Sequence, residues 1–281
     1  MATEFDFDAA CALSKGKRRY QEDAIISDFA RGGDIGLVVL ADGMGGHAAG
    51  DVASKIVVTE VFSELMFQRG DPDGFETRVC ASLLNAAMAA NVCIKDHIGA
   101  HPETKGMGAT LVASAIVNQS LYWISIGDSP LLLFRNGVLL QLNEDHSMAP
   151  QIDYMVKTGL LPPEEGACHP DRNTLTSALC GQDIPKVDCP QEPTILKEGD
   201  ILVIASDGLQ FLSNDRLERT LQREQHRHSS EIADILMQEV IALGDPDLDN
   251  VSFSLIKVQD SALHKGVNEN ALTLPKIRCV G

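Results

Sequence analysis

Strand-length apolar runs come in groups along this chain, and paired helical stretches separate the groups. That order excludes a regular βαβ winding and points to antiparallel sheets with helices segregated outside them. Residues 9–13, 23–27 and 35–41 read as strands, the last two as a hairpin around Arg31-Gly32-Gly33-Asp34. Val52, Ile56, Val57, Val61, Leu65 and Met66 then recur three and four apart, which is helical. Asp71-Pro72-Asp73-Gly74 breaks that helix, and Phe75, Val79, Leu83, Ala87, Met88 and Val92 make a second. Strand signals return at 110–117, 121–126, 131–134 and 138–142, with short links that predict antiparallel neighbours. A modest helix is expected at 148–158 and a polar, Pro-containing surface flap at 159–173. A fully apolar strand at 201–205, helices at 214–222 and 231–243, and a closing strand at 251–258 complete the pattern. The expected class is α+β, with sheet packed on sheet and helix pairs outside. Residues 1–258 form one domain in this reading, and 259–281, where periodicity is lost, form a tail.

Composition narrows the function. Forty acids against 23 bases give a net charge of −17 over 281 residues. Such a field disfavours nucleic acid and anionic membrane surfaces. Aromatic residues are only 5%, too few for a base-stacking platform. No uninterrupted apolar run reaches about 18 residues, and Met1 to Asp8 is acidic where a signal peptide would be basic and apolar. Seven cysteines with no C-x-x-C predict reduced thiols rather than disulfides or a zinc ribbon. A cytoplasmic protein is therefore expected.

The chemistry is carried by acids at strand ends. Glu22 and Asp23 begin one hairpin strand and Asp42 ends the next, so Asp23 and Asp42 meet at the open end. Asp207 ends the strand at 201–205 and Asp249 precedes the strand at 251–258, repeating the arrangement. Five carboxylates on one rim repel: at ~5 Å and an effective dielectric of ~20, each like pair costs about 3 kcal/mol. Some must protonate, or the rim must bind cations, and all-oxygen donors suit Mg²⁺ or Mn²⁺. Asp42 opens Asp42-Gly43-Met44-Gly45-Gly46-His47, whose glycines let a backbone carbonyl approach an ion and place His47 at the lip. Arg18, five residues before Asp23, suits either an ion pair with the rim or a bidentate grip on phosphate.

These residues, with Gly106-Met107-Gly108-Ala109-Thr110, Gly127-Asp128-Ser129, Asp145-His146-Ser147, Ser206-Asp207-Gly208-Leu209 and Asp249-Asn250-Val251, occur in an order that resembles the metal-dependent type 2C serine/threonine protein phosphatases in their bacterial form. The resemblance implies a four-layer αββα sandwich of two antiparallel β-sheets flanked by helix pairs. It implies two Mn²⁺ or Mg²⁺ ions, bridged by Asp42. Asp207 and Asp249 would hold one ion, and Glu22 and the Gly43 carbonyl the other, with Asp23 acting from behind them. Arg18 would clamp the substrate phosphate and His47 would protonate the leaving alkoxide. Phosphoserine and phosphothreonine proteins would be hydrolysed by direct attack of a metal-bridging hydroxide, in a monomer that opposes a serine/threonine kinase.

Lys105 stands about where many relatives carry an Asp for a third ion, so that site is expected to be weak or absent. The sequence offers two rival readings. A dinucleotide fingerprint, Gly43-x-Gly45-x-x-Ala48, places Asp42 beside a pyrophosphate and lacks an acid at the end of a second parallel strand. A catalytically weak or inactive phosphatase-fold binding or regulatory protein is the alternative: lost acids or a lost Arg18 would be its signature, and all are present, while Lys105 and Ser177 depart from the family pattern.

Overall fold

The computed structural model describes residues 5–30, 35–45, 49–70, 72–260 and 278–280. The chain runs β1 (Phe5–Ser14), β2 (Asp23–Phe29), β3 (Ile35–Met44), α1 (Ala49–Arg69), α2 (Pro72–Ala100), β4 (Gly108–Ala109), β5 (Leu111–Val117), β6 (Ser120–Ile126), β7 (Leu131–Arg135) and β8 (Val138–Gln141). It continues through α3 (Ala149–Lys157), α4 (Pro163–Ala167), β9 (Thr194–Ile195), β10 (Ile201–Ala205), α5 (Asn214–Glu224), α6 (Ser229–Ile241), β11 (Val251–Asp260) and β12 (Arg278–Val280). One sheet is ordered β12-β1-β11-β10-β7-β8 and the other β2-β3-β5-β6-β9, with β4 paired to β3. The pairings are antiparallel except β12, which lies parallel to β1.

Three apolar layers separate four layers of structure. Leu37, Val39 and Ala41 of β3 pack with the buried stripes of α1 (Val57, Val61, Leu65) and α2 (Leu83, Ala87, Ile94). Val203 and Ala205 of β10 and Phe253 of β11 pack with Leu217, Leu221, Ile232 and Leu236 of α5 and α6. Between the sheets lie Val38, Leu40, Val112, Leu202, Ile204, Ile256 and Val258. The αββα sandwich follows from strands buried on both faces, whose odd and even residues feed different layers.

Four features differ from the sequence expectation. The strands from 110 to 142 are not consecutive neighbours: the link Gly127-Asp128-Ser129-Pro130 carries the chain from β6 in one sheet to β7 in the other. The flap at 159–173 contains the short helix α4, with Gly166 buried. Within the expected tail, β11 extends to Asp260 and β12 pairs Ala12–Ser14 of β1, while 261–277 lie outside the described residues. Residues 74–100 within α2 are long and apolar enough, by length and composition alone, to cross a membrane, yet the helix lays Phe75, Val79, Leu83, Ala86, Ala87, Ala90 and Ile94 onto the core.

Candidate metal centre

The site lies at one end of the inter-sheet layer, where the apolar filling gives way to oxygen atoms. On β3, Val38, Leu40 and Asp42 share the face that looks across to the other sheet. Asp42 is the register partner of Asp23 on β2, as the hairpin predicts. On the opposite sheet, Leu202 and Ile204 lead to Ser206, whose hydroxyl donates to Asp23 Oδ2 at 2.8 Å. That bond ties the two sheets together at the rim. The Ser252 N–H donates to Ser206 Oγ at 3.0 Å, and the Ser206 N–H donates to the Ser252 carbonyl at 2.8 Å.

The other predicted residues gather around this pair. Asp207 opens the one-turn helix that follows β10, and Asp249 sits just before β11. Burial first, then Asp23, Asp207, Asp128 and Asp249, pushes the Asp42 carboxyl well above the usual range. Burial and Asp249 raise Asp207 against the opposing pull of the Asp42 side chain and Arg18. Burial pushes Asp23 up to about 7 against its serine hydrogen bonds. Glu22 is raised too, by burial against the opposing pull of Arg18. Arg18 forms an ion pair with Asp249, so the first of its two sequence readings is realised. His47, with Gly46 and Ala48, lies outside the described residues.

The backbone around the acids is close-packed. The Gly43 N–H donates to the Glu22 carbonyl at 3.1 Å, and a Cβ on Gly43 would overlap the Gly50 carbonyl oxygen. A Cβ on Gly50 would stand 2.5 Å from Glu22 Oε1. Asn250 brackets the Arg18 loop: its Oδ1 accepts from the Glu22 N–H at 2.7 Å, and its Nδ2 donates to the carbonyls of Lys15 at 2.8 Å and Tyr20 at 3.0 Å. The Asp42 N–H donates to Thr110 Oγ1, which in turn bonds Ser129 Oγ.

One carboxylate stands in a motif of the sequence without being given a role there. Asp128 stands in the link that crosses between the sheets, and burial, then Asp207 and Asp145, pushes it up to about 7. The signal was available, because Asp128 follows the end of a strand just as Asp42 and Asp207 do. Lys105 is exposed and is not among the charges that shift the cluster. Asn250 and Ser206 were quoted within motifs without a role, and the structure gives them one.

Do these residues fit divalent ions? Asp23 Oδ1 and Asp207 Oδ1 are buried without a hydrogen-bond partner, a costly arrangement for a carboxylate. Every candidate donor is an oxygen, the set that hard cations prefer. Among the described residues, no three His, Cys, Asp or Glu side chains close on one point at coordination distance. Instead Asp23 accepts from Ser206 and Asp249 pairs with Arg18. The residues fit the ions.

Comparison with known proteins now decides the family. The profile of the protein phosphatase 2C family matches residues 15–242. The chain belongs to the protein phosphatase 2C family. A 2C-type protein phosphatase of Streptococcus pyogenes is 36% identical over 245 residues, covering 86% of this chain and 93% of that one. The serine/threonine protein phosphatase PstP of Mycobacterium tuberculosis is 34% identical over 228 residues, 80% of this chain and 40% of the longer PstP chain. The crystal structure of the PstP catalytic domain in complex with two manganese ions superposes with a TM-score of 0.72 at 30% identity, covering 91% of this chain and all of that one. This 2C phosphatase is a metal-dependent protein serine/threonine phosphatase.

Proposed function

We propose that Asp42, Asp207, Asp249, Glu22 and the Gly43 carbonyl hold two Mn²⁺ or Mg²⁺ ions, with Asp23 fixed behind them by Ser206. The observation that carries this reading is the pair of buried, unpartnered carboxylate oxygens on Asp23 and Asp207 inside a cluster of mutually repelling acids. When bound, two such ions activate water and neutralise the charge of an in-line displacement at phosphorus.

The chain's own residues do the rest. Arg18 has five N–H donors and uses one nitrogen on Asp249, so the remaining fork grips a phosphoryl group at the rim. Asn250 holds the Arg18 loop in register with β11. Asp23 orders the inner face of the site through Ser206 and Ser252. His47 supplies the proton to the departing serine or threonine oxygen. The substrate is a phosphoprotein made by a serine/threonine kinase, met in the cytoplasm by a monomer. The free thiols of Cys11, Cys80, Cys93, Cys168, Cys180 and Cys189 support a reducing compartment.

Purified protein should hydrolyse p-nitrophenyl phosphate and a phosphothreonine peptide with Mn²⁺ and stop in EDTA. Calorimetry should find at least two Mn²⁺ per chain. Asp42→Ala and Asp207→Ala should each cost at least ~10³-fold in activity. Full hydrolysis in EDTA, or by either variant, would overturn the assignment.

A further inference from the structure

The loop between β1 and β2 carries more cations than the metal centre uses. Lys15, Lys17, Arg18 and Arg19 stand within five residues, and no other five residues of the chain hold four Lys or Arg. From Ser14 to Gln21 there is no acid, on a chain of net charge −17. The loop's backbone is fastened inward. The Lys17 N–H donates to the Leu248 carbonyl at 2.8 Å, the Arg18 N–H donates to the Lys15 carbonyl at 3.3 Å, and Asn250 Nδ2 holds the carbonyls of Lys15 and Tyr20. Gly16, at φ +60°, packs so closely that a Cβ there would overlap the Asp249 carbonyl oxygen. With the backbone tied to residues 248–250, Lys15, Lys17, Arg18 and Arg19 are exposed.

Three of the four cations are unpaired. Arg18 holds Asp249, whereas Lys15, Lys17 and Arg19 form no ion pair with any described residue. Arg19 lies over the Tyr20 ring, 5.3 Å from its centroid, a contact that steadies the guanidinium and leaves its N–H edge open. The adjoining segment 245–249 brings three carboxylates against the loop's four cations, so the two together stay net positive. Of those acids, Asp249 is engaged by Arg18, and Asp245 Oδ1 accepts from the Asp247 N–H at 2.9 Å. Glu22, beyond Gln21, lies against Gly50 in the proposed ion site.

Lys17 and Arg19 flank Arg18, the residue assigned to the substrate phosphate. From Lys15 to Arg19 the chain reaches at most ~14 Å, the length of about four extended substrate residues. Cations so placed stand beside the residues that neighbour the phosphorylated side chain, and carboxylates there meet ammonium and guanidinium donors. We propose that Lys17 and Arg19, with Lys15, set substrate specificity by binding Asp or Glu side chains within about four residues of the phosphoserine or phosphothreonine. This specificity rests on the phosphatase reading above and narrows the substrate class to phosphoproteins with acidic sequence around the phosphorylated residue.

The test uses phosphothreonine peptides on the manganese-loaded protein, with four Glu or four Gln on one side of the phosphothreonine, each side in turn. On at least one side the Glu peptide should show a KM about fivefold or more below its Gln counterpart with kcat unchanged, an advantage that shrinks as salt rises from 20 to 300 mM. The double variant Lys17→Gln, Arg19→Gln should lose that advantage and hydrolyse p-nitrophenyl phosphate and the Gln peptides as before, while Arg19→Lys alone should keep part of it. Neutral replacements are chosen because a new carboxylate there would itself pair with Arg18. Anisotropy of labelled peptides with unphosphorylated threonine reads the loop without hydrolysis: the native protein should prefer Glu to Gln, and the double variant should not. That preference with no hydrolysis of any substrate would count against the phosphatase reading alone. Equal KM values for Glu and Gln peptides on both sides, or a Glu advantage that survives the double variant, would overturn the specificity. An equal rise in KM for every substrate in that variant would overturn it too, because the two cations would then act only through Arg18.

Discussion

On the proposed assignment, Arg18 serves two partners. Its guanidinium holds Asp249 and remains about half exposed, so it stands ready for an incoming anion. Arg18→Ala should raise KM for a phosphothreonine peptide about tenfold, with a smaller change in kcat, and Arg18→Lys should recover only part, because an ammonium lacks the fork. Steady-state kinetics checks both; an unchanged KM in Arg18→Ala would remove Arg18 from substrate binding. His146 is a second single-residue case. It is 1% exposed, and its Nδ1 accepts from the Gly127 N–H at 3.3 Å, which requires the neutral ring. Burial holds its pKa below the ordinary histidine value. Between that lowered pKa and about 6.5, the unfolded chain binds a proton the folded chain refuses. Stability is therefore full above about pH 6.5 and is lost as pH falls toward the folded-state pKa. Melting curves from pH 7.5 to 5 should show that decline, and His146→Asn, which keeps an acceptor but cannot titrate, should flatten it. Equal slopes in the two proteins would refute the assignment.

The elements show why some of this fold was readable in advance and some was not. The β2–β3 hairpin was legible because a Gly-rich turn lies between two apolar runs, so the Asp23–Asp42 pairing followed from register alone. The crossing at 127–130 was not. Ile126 and Leu131 are each fully buried, and strands covered on both faces lose the alternation that would report a change of sheet. Helix α4, five residues long, is too short to show a helical period, and β12 depends on a partner more than 260 residues away. Packing between elements also fixes which glycines matter. A Cβ on Gly208 would overlap the Asn250 carbonyl oxygen, jamming the Asp207 turn against the start of β11. Gly99, near the end of α2, meets nothing within 4 Å. Gly208→Ala should therefore lose about 1–3 kcal/mol in urea unfolding, and Gly99→Ala should gain about 0.5 kcal/mol. Equal effects would mean that the clash at Gly208 relaxes freely.

For the molecule as a whole, three apolar layers bring two sheets together, and the price of that assembly is a rim where acids from both sheets face one another. Burial raises Asp23 and Asp128 to about 7, so cations compete with protons there, and metal affinity should rise as pH passes through 7. Ions that bind only the folded chain stabilise it by about 2.7 kcal/mol at a hundredfold excess over Kd. For a domain of this size that is a rise in Tm of roughly 5–10 °C. The Mn²⁺-induced shift should accordingly be larger at pH 8 than at pH 6. Asp42 sits at the centre of the repulsion, raised by burial and by four neighbouring carboxylates. On the proposed assignment, replacing it with a neutral isostere removes a carboxyl that burial and its neighbours hold against ionisation when metal is absent, and a proposed ligand when metal is present. Asp42→Asn should thus melt higher than the native protein in EDTA at pH 8 and lower than it in Mn²⁺, so that the two stability orders cross. Differential scanning calorimetry in both buffers decides the matter: if the variant were less stable in EDTA as well, Asp42 would be a structural residue of the rim and not a charge restrained for a cation.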